Sequence, residues 1–181
     1  MKVTTYLRKL RGTTRGRPPR VSNSEVVWSW IGAFIGIALV SWLNTRWFSD
    51  ADVGLLIGSL GASAVLVYGA VRSPLAQPRN LIGGHIVSAI VGVLAWKLLG
   101  GVPWLAAAAA VATAIALMHL TRTLHPPGGA TALIAVIGSD DIHAAGFYYV
   151  LMPATFGPLV LLVVALLVNN LAANRRYPEI W

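Results

Sequence analysis

Six apolar stretches organise the chain: residues 26–47, 53–71, 81–99, 104–120, a short run at 129–138, and 146–171. A helix needs about 20 apolar residues to cross the hydrocarbon core of a bilayer, so the long runs predict membrane-crossing helices. Polar and helix-breaking residues separate them. Asn44-Thr45-Arg46 and Ser49-Asp50-Ala51-Asp52 close the first run, and Arg72-Ser73-Pro74 through Pro78-Arg79-Asn80 divides the second from the third. Gly100-Gly101-Val102-Pro103 makes a tight turn before the fourth, and Ser139-Asp140-Asp141 precedes the last. Trp28, Trp47, Trp96 and Trp104 fall towards run ends, where amphipathic rings favour the membrane interface. The pattern predicts an all-α, polytopic membrane helix bundle of about six segments.

The fifth run is too short to cross as a helix. At 1.5 Å per residue it reaches about 15 Å, roughly half the hydrocarbon thickness. The residues before it, Thr121-Arg122-Thr123-Leu124-His125-Pro126-Pro127-Gly128, cannot extend that helix, because two prolines remove donors and force their predecessors out of the helical region. An extended lead-in followed by a half-helix would complete the crossing. Non-helical backbone at that depth survives only where it is buried in protein or lines a wet cavity. A half-helix that starts mid-membrane offers unpaired N–H groups and a partial positive charge, which makes a ready anion site. Gly128 and Gly129 leave that backbone uncovered, and Thr131 adds a hydroxyl. No Asp or Glu falls inside a predicted span, which removes the usual cation ligands.

Gly61-Ala62-Ser63-Ala64-Val65-Leu66 and Gly129-Ala130-Thr131-Ala132-Leu133-Ile134 share one small-residue pattern. Each lies in the second run of its group of three. A unit of three crossings must be followed by its copy upside down, so the match predicts a 3+3 inverted repeat with halves at about 26–100 and 103–171 and broken half-helices, a transporter design with its site at mid-depth. The corresponding weak point in the first half is Gly58-Ser59-Leu60-Gly61.

Composition agrees with a lipid-facing surface. Only 11% of the 181 residues are charged and 56% are hydrophobic, whereas a typical soluble domain is about 25% charged. Cysteine is absent, which excludes disulfides, thiolate metal sites and cysteine nucleophiles. The net charge of +8 is concentrated: seven of the fourteen basic residues lie among the first twenty. Apart from Tyr6 no aromatic is interleaved with them, so they read as a flexible basic cytosolic tail (1–25) that can meet lipid headgroups, and no nucleic-acid partner is expected. With six crossings, Arg72, Arg79, Arg122, Arg175 and Arg176 share the side of that tail, and only Arg46 and Lys97 fall opposite. The positive-inside rule then predicts a multi-pass protein of the inner (cytoplasmic) membrane with both termini in the cytoplasm, a membrane domain at 26–174 and a short tail at 175–181.

The candidate substrate-binding residues are His125, Pro126, Pro127, Gly128, Gly129 and Thr131, with Gly61, Ser63, Asn80 and His85. Arg79, Arg122 and His119 are candidates for a gate or vestibule; the competing reading is interfacial anchoring for the two arginines and a hydrogen bond within the bundle for His119, as for His85. His125 admits two readings: a proton-linked gate or anion donor, or a ring that caps a backbone carbonyl in a rigid turn. The spacing of the three histidines is not a zinc-ligand motif, and neither metal, cofactor nor catalytic residue is expected.

Leu124-His125-Pro126-Pro127-Gly128-Gly129-Ala130-Thr131-Ala132 resembles the signature of the HPP family of integral membrane proteins. Gly61-Ala62-Ser63-Ala64-Val65-Leu66, followed by Ser73-Pro74-Leu75-Ala76-Gln77-Pro78-Arg79-Asn80 and Gly84-His85, is similar to its other block. The resemblance, over roughly residues 25–171, implies four spanning helices, two fewer than the apolar runs. Plant and cyanobacterial members are associated with nitrite transport, so it implies a transporter or channel for a small inorganic anion. Two other classes compete: a membrane-embedded enzyme using His85, His119 and His125, and a non-transporting interaction subunit. A chain of 19.2 kDa leaves little room for a private permeation path, which favours a homo-oligomer.

Overall fold

The computed structural model describes Leu10, residues 20–46 and residues 50–181, without the side chains of residues 50, 51, 53–55 and 57. Most of the predicted tail, including Lys2, Arg8, Lys9, Arg11, Arg15 and Arg17, lies outside the described residues, as does Trp47. The helices are α1 Asn23–Asn44, α2 Asp50–Ala64, α3 Pro78–Leu99, α4 Pro103–Leu120, α5 Pro127–Ile137, α6 Asp140–Ala145, α7 Tyr148–Leu151 and α8 Phe156–Leu171, and no strand occurs among the described residues. A π-helical turn, Val65–Gly69, continues α2, and a 3-10 turn, Pro74–Ala76, leads towards α3. Four stretches are long and apolar enough to cross a membrane: Asn23–Asn44, Pro78–Leu99, Pro103–Leu120 and Tyr148–Leu171. Gly58–Gly69 and Pro127–Ile137 are apolar but shorter.

Local chemistry sets the boundaries. Ser22 caps α1 by accepting from the Glu25 N–H at 3.2 Å, the first half of a capping box. The helices α3, α4 and α5 each open on proline, whose missing N–H costs nothing in a first turn. The end of α4 is a Schellman motif, with Thr123 N–H donating to Met118 O at 2.9 Å and Arg122 N–H to His119 O at 3.2 Å. Glycine usually takes the left-handed position of that motif; here it is Arg122, with φ 57. A Cβ in that conformation costs about 1–2 kcal/mol, and Arg122 is exposed. Arg122→Gly is therefore expected to stabilise the protein by about 1 kcal/mol, read as a higher melting temperature in detergent.

The expected break at Gly58-Ser59-Leu60-Gly61 is absent: α2 runs unbroken from Asp50 to Ala64. Glycine in a helix costs only about 1 kcal/mol relative to alanine, against about 3 for proline, and no proline interrupts this stretch. The helix also starts earlier than the apolar run suggested, so Asp52 belongs to it and is buried. Ser139 donates to its carboxylate from both N–H and hydroxyl.

Packing does not follow the two predicted halves. Val40 of α1, Leu60 of α2 and Leu161 and Ala165 of α8 share one core, with Tyr68 at its centre. The Tyr68 ring lies against Gly32 and Gly36 of α1, and its hydroxyl donates to Leu161 O at 2.9 Å. A second core joins Val91 and Ala95 of α3 to Ala132 and Val136 of α5 and to Ala106, Ala110 and Ala114 of α4. Those alanines recur every four residues, a stripe that lets helices approach closely. The third long helix of each half thus packs with the opposite half.

The two described ends of the chain meet. Arg175, only 8% exposed, donates to Glu25 O and Ser29 Oγ, both at 2.7 Å, and pairs with the Glu25 carboxylate at 3.0 Å. The buried Tyr177 hydroxyl donates to Ala76 O at 2.8 Å, and burial pushes its phenol above the usual range, so it remains the donor at physiological pH. The short tail expected at 175–181 is held down by these bonds.

Candidate functional site

Gly84, Ser88 and Gly92 recur every four residues along α3 and clear a channel for the residues around the paired prolines. A Cβ added at Gly84 would sit 2.9 Å from Thr123 O and 2.5 Å from His125 Cβ, and one at Gly128 would sit 2.6 Å from Ser88 Oγ. Ser88 is the eleventh of the 22 residues of α3, so α5 begins beside that helix's midpoint, as a half-helix requires. The non-helical lead-in is satisfied within the protein: Asn80 Nδ2 donates to Leu124 O at 2.8 Å, and Gly128 N–H to His125 O at 2.8 Å.

This placement buries His125 completely, beside an almost fully buried His85. Their ring centroids are 5.2 Å apart, joined through Ser63, whose Oγ lies 2.9 Å from Nε2 of each ring. His85 Nδ1 meets Thr131 Oγ1 at 2.7 Å, and Thr131 Oγ1 meets Ser59 Oγ at 2.9 Å. At the other end His125 Nδ1 faces Leu75 O at 2.8 Å. The equivalent positions of the two matching segments, Ser63 and Thr131, therefore hold the two nitrogens of one imidazole.

The carbonyl of Leu75 fixes the direction of every bond, because it only accepts. His125 must donate to it from Nδ1, so in the neutral ring Nε2 accepts from the Ser63 hydroxyl. Having spent its proton, Ser63 accepts from His85 Nε2–H. His85 Nδ1 then accepts from Thr131, and Thr131 accepts from Ser59. Both readings of His125 meet here: one nitrogen caps a backbone carbonyl and the other joins a buried polar chain. Tyr149, buried on α7, donates to Thr131 O at 2.9 Å. A cavity of about 10 Å³, lined by Ser59, His85, Thr131 and Tyr149 among others, adjoins the chain; it has room for about one water.

Other expectations need correction. The first-turn amides of α5 are not bare: Gly128 N–H donates to His125 O, and Gly129 N–H to Pro126 O at 3.0 Å, since the paired prolines fold the chain into a turn whose carbonyls point back at those amides. Because α2 is continuous, Gly61 and Ser63 do not head a second half-helix. Gly61 has nothing among the described residues within 4 Å of an added Cβ, and Ser63 contributes only its hydroxyl. Pro127 and Gly128 are buried and Gly129 half-buried, but Pro126 is exposed. His119 is exposed in the last turn of α4, turned about 100–140° round the helix from buried Met118 and Ala114, so the three histidines do not converge. Arg79 and Arg122 are exposed beyond the chain, Arg79 donating to Thr121 O at 3.0 Å. Arg79 thereby braces the turn after α4 in which Arg122 sits.

Ser59, Asp52 and Tyr149 were not singled out from the sequence. The spacing of Asp52, Ser59 and Ser63 (seven, then four residues) puts all three on one helical face, a signal visible only once α2 is read as continuous through its glycines.

Comparison with known proteins places this architecture. The chain is 45% identical over 179 residues to one transmembrane protein of Dictyostelium discoideum, and 44% identical over 185 aligned positions to another. The alignments take in 97% and 100% of this chain but only 57% and 65% of those proteins. No solved structure matches it. The model of the HPP transmembrane region matches residues 18–178, which contain the bundle and the entire buried chain; the protein belongs to the HPP family of transmembrane proteins.

Proposed function

We propose that the protein is a transporter for a small inorganic anion, with nitrite the first candidate. One observation carries this reading: a chain of imidazoles and hydroxyls, closed off from solvent, beside the midpoint of an apolar helix bundle. Polar side chains at such depth are costly, and ionisable ones there mark transport paths by default. The chain lies at the positive end of α5, which suits a negative guest. The association of plant and cyanobacterial HPP members with nitrite points the same way.

In this reading the chain crosses the membrane six times, the lead-in and α5 together making the fifth crossing. Arg175 bonded to Glu25 supports an even number, and the excess of Lys and Arg near those ends supports a cytoplasmic location for them. The attachment of Ser63 and Thr131 to one ring supports related, inverted halves. A cavity that holds one water cannot pass nitrite, so transport requires α2 to move away from α5. Among the described residues nothing lies within 4 Å of a Cβ added at Gly58 or Gly61, so none of them obstructs that movement there.

Purified protein in liposomes is expected to take up nitrite faster than protein-free liposomes do. Absence of flux across a panel of nitrite, nitrate, bicarbonate and chloride would overturn the reading.

A further inference from the structure

We propose that Ser59, Thr131, His85, Ser63 and His125 form a proton path that leads from the cavity to a loading site at His125 in the closed middle of the protein, and that anion movement is coupled to the loading. The coupling rests on the transport reading above; the path itself rests on geometry alone. Five links of 2.7–2.9 Å run without a gap from Ser59 to Leu75 O, and each interior member both donates and accepts.

The arrangement is also reversible. In the neutral chain all donors point towards Leu75. One added proton makes His125 an imidazolium that donates from Nδ1 to Leu75 O and from Nε2 to Ser63. Ser63 then donates to His85 Nε2, His85 Nδ1 donates to Thr131, and Thr131 donates to Ser59. Ser59 in turn finds an acceptor already in place, Pro127 O at 3.1 Å. Both directions leave every member satisfied, so no polar group is stranded when the chain flips. No covalent bond other than O–H and N–H changes. A proton received by Ser59 from the cavity side displaces one proton at each link and is held on His125, whose Nδ1–H stays bonded to Leu75 O; that carbonyl cannot pass a proton on, so the proton leaves by the same links. Return of the loaded proton to Ser59 restores the first arrangement at every link.

Few other ionisable groups are in position to interfere. The Tyr149 hydroxyl is committed to Thr131 O. Asp52, seven residues before Ser59 and so about 10 Å farther along α2, is the acid at that end and is held by Ser139. From α4, buried Met118 faces Ser88, accepting from its Oγ at 3.6 Å, and brings no charge.

The test uses liposomes containing the full chain, a trapped pH-sensitive dye and a separate assay for nitrite. Uptake of nitrite is expected to bring protons with it and to be driven by an imposed pH gradient. Thr131→Val, which keeps the shape but removes a hydroxyl, is expected to lose proton uptake, and Thr131→Ser to retain it. Nitrite flux without protons would overturn the proton path and leave the transport reading standing. Proton uptake without flux of any anion would support the path, overturn its coupling to anions and sink the transport reading. Should Thr131→Val fail to fold, nitrogen-15 NMR of the wild-type histidines decides the matter. The path requires opposite tautomers, Nε2–H on His85 and Nδ1–H on His125, that change together on acidification; rings that titrate independently would overturn it.

Discussion

Ser63→Ala is expected to destabilise the protein by about 2–6 kcal/mol, the sum of two buried groups left unpaired at roughly 1–3 kcal/mol each. The substitution removes only one oxygen, but that oxygen serves both rings. His125 Nε2 would lose its donor and His85 Nε2–H its acceptor, where both side chains are almost fully buried. Ser59→Ala should cost less, although it also cuts the chain. Ser59 lines the small cavity, where a water can replace the missing hydroxyl, whereas Ser63 is not part of its lining. Denaturation in detergent, following helix content, measures both. A Ser63→Ala loss no larger than that of Ser59→Ala would mean that the two imidazoles are not joined through this hydroxyl.

Gly92→Ala is expected to cost about 3 kcal/mol or more, beyond the usual range of about 1–3 for inserting a methyl into a packed site. The added Cβ would collide with Ala132 O, lie 2.9 Å from Ala132 Cα and 2.8 Å from Ala135 Cβ. None of these atoms can rotate aside, so α3 and α5 would have to separate. Ala132 follows Thr131 directly, and the shift would pull the Thr131 hydroxyl off His85. Loss of stability and loss of flux should therefore arrive together. Gly61→Ala is the contrasting case: no described residue lies within 4 Å of the new methyl, and alanine is the better helix former by about 1 kcal/mol. It should raise the melting temperature. If Gly92→Ala also melts at or above the wild-type temperature, the close seating of α5 on α3 is wrong.

Much of this architecture was legible because its signals are local. The apolar runs, the prolines that open three helices, and the inability of His125-Pro126-Pro127 to continue a helix are all properties of neighbouring residues. The likeness of the segments that carry Ser63 and Thr131 was also visible, through their matching small-residue pattern. What escaped depends on residues far apart in sequence. Glu25 and Arg175 are 150 positions apart, and nothing near Arg175 distinguishes it from an ordinary interfacial arginine. Asp52 looks like part of a solvated loop until Ser139, 87 positions away, supplies two donors. Bare amides at Gly128 and Gly129 were expected from the helix-terminus rule, which counts bonds within the helix only. The proline turn satisfies those amides from outside it. His119 was grouped with the other histidines by residue type, whereas the rotational position of α4, set by its alanine stripe, turns it outward.

The exchange of third helices between the two halves bears on how the protein is made. When residue 100 has left the ribosome, α3 exists but its partners do not. Its Gly84–Ser88–Gly92 face would meet only lipid, with the His85 ring awaiting a hydroxyl from a helix not yet synthesised. The first three segments are thus a waiting platform, and α3 is claimed only when α4 and α5 arrive, as α8 later closes over α1 and α2. Neither half is a self-sufficient unit, and two halves expressed as separate chains should recover the structure only when they are present in the same membrane.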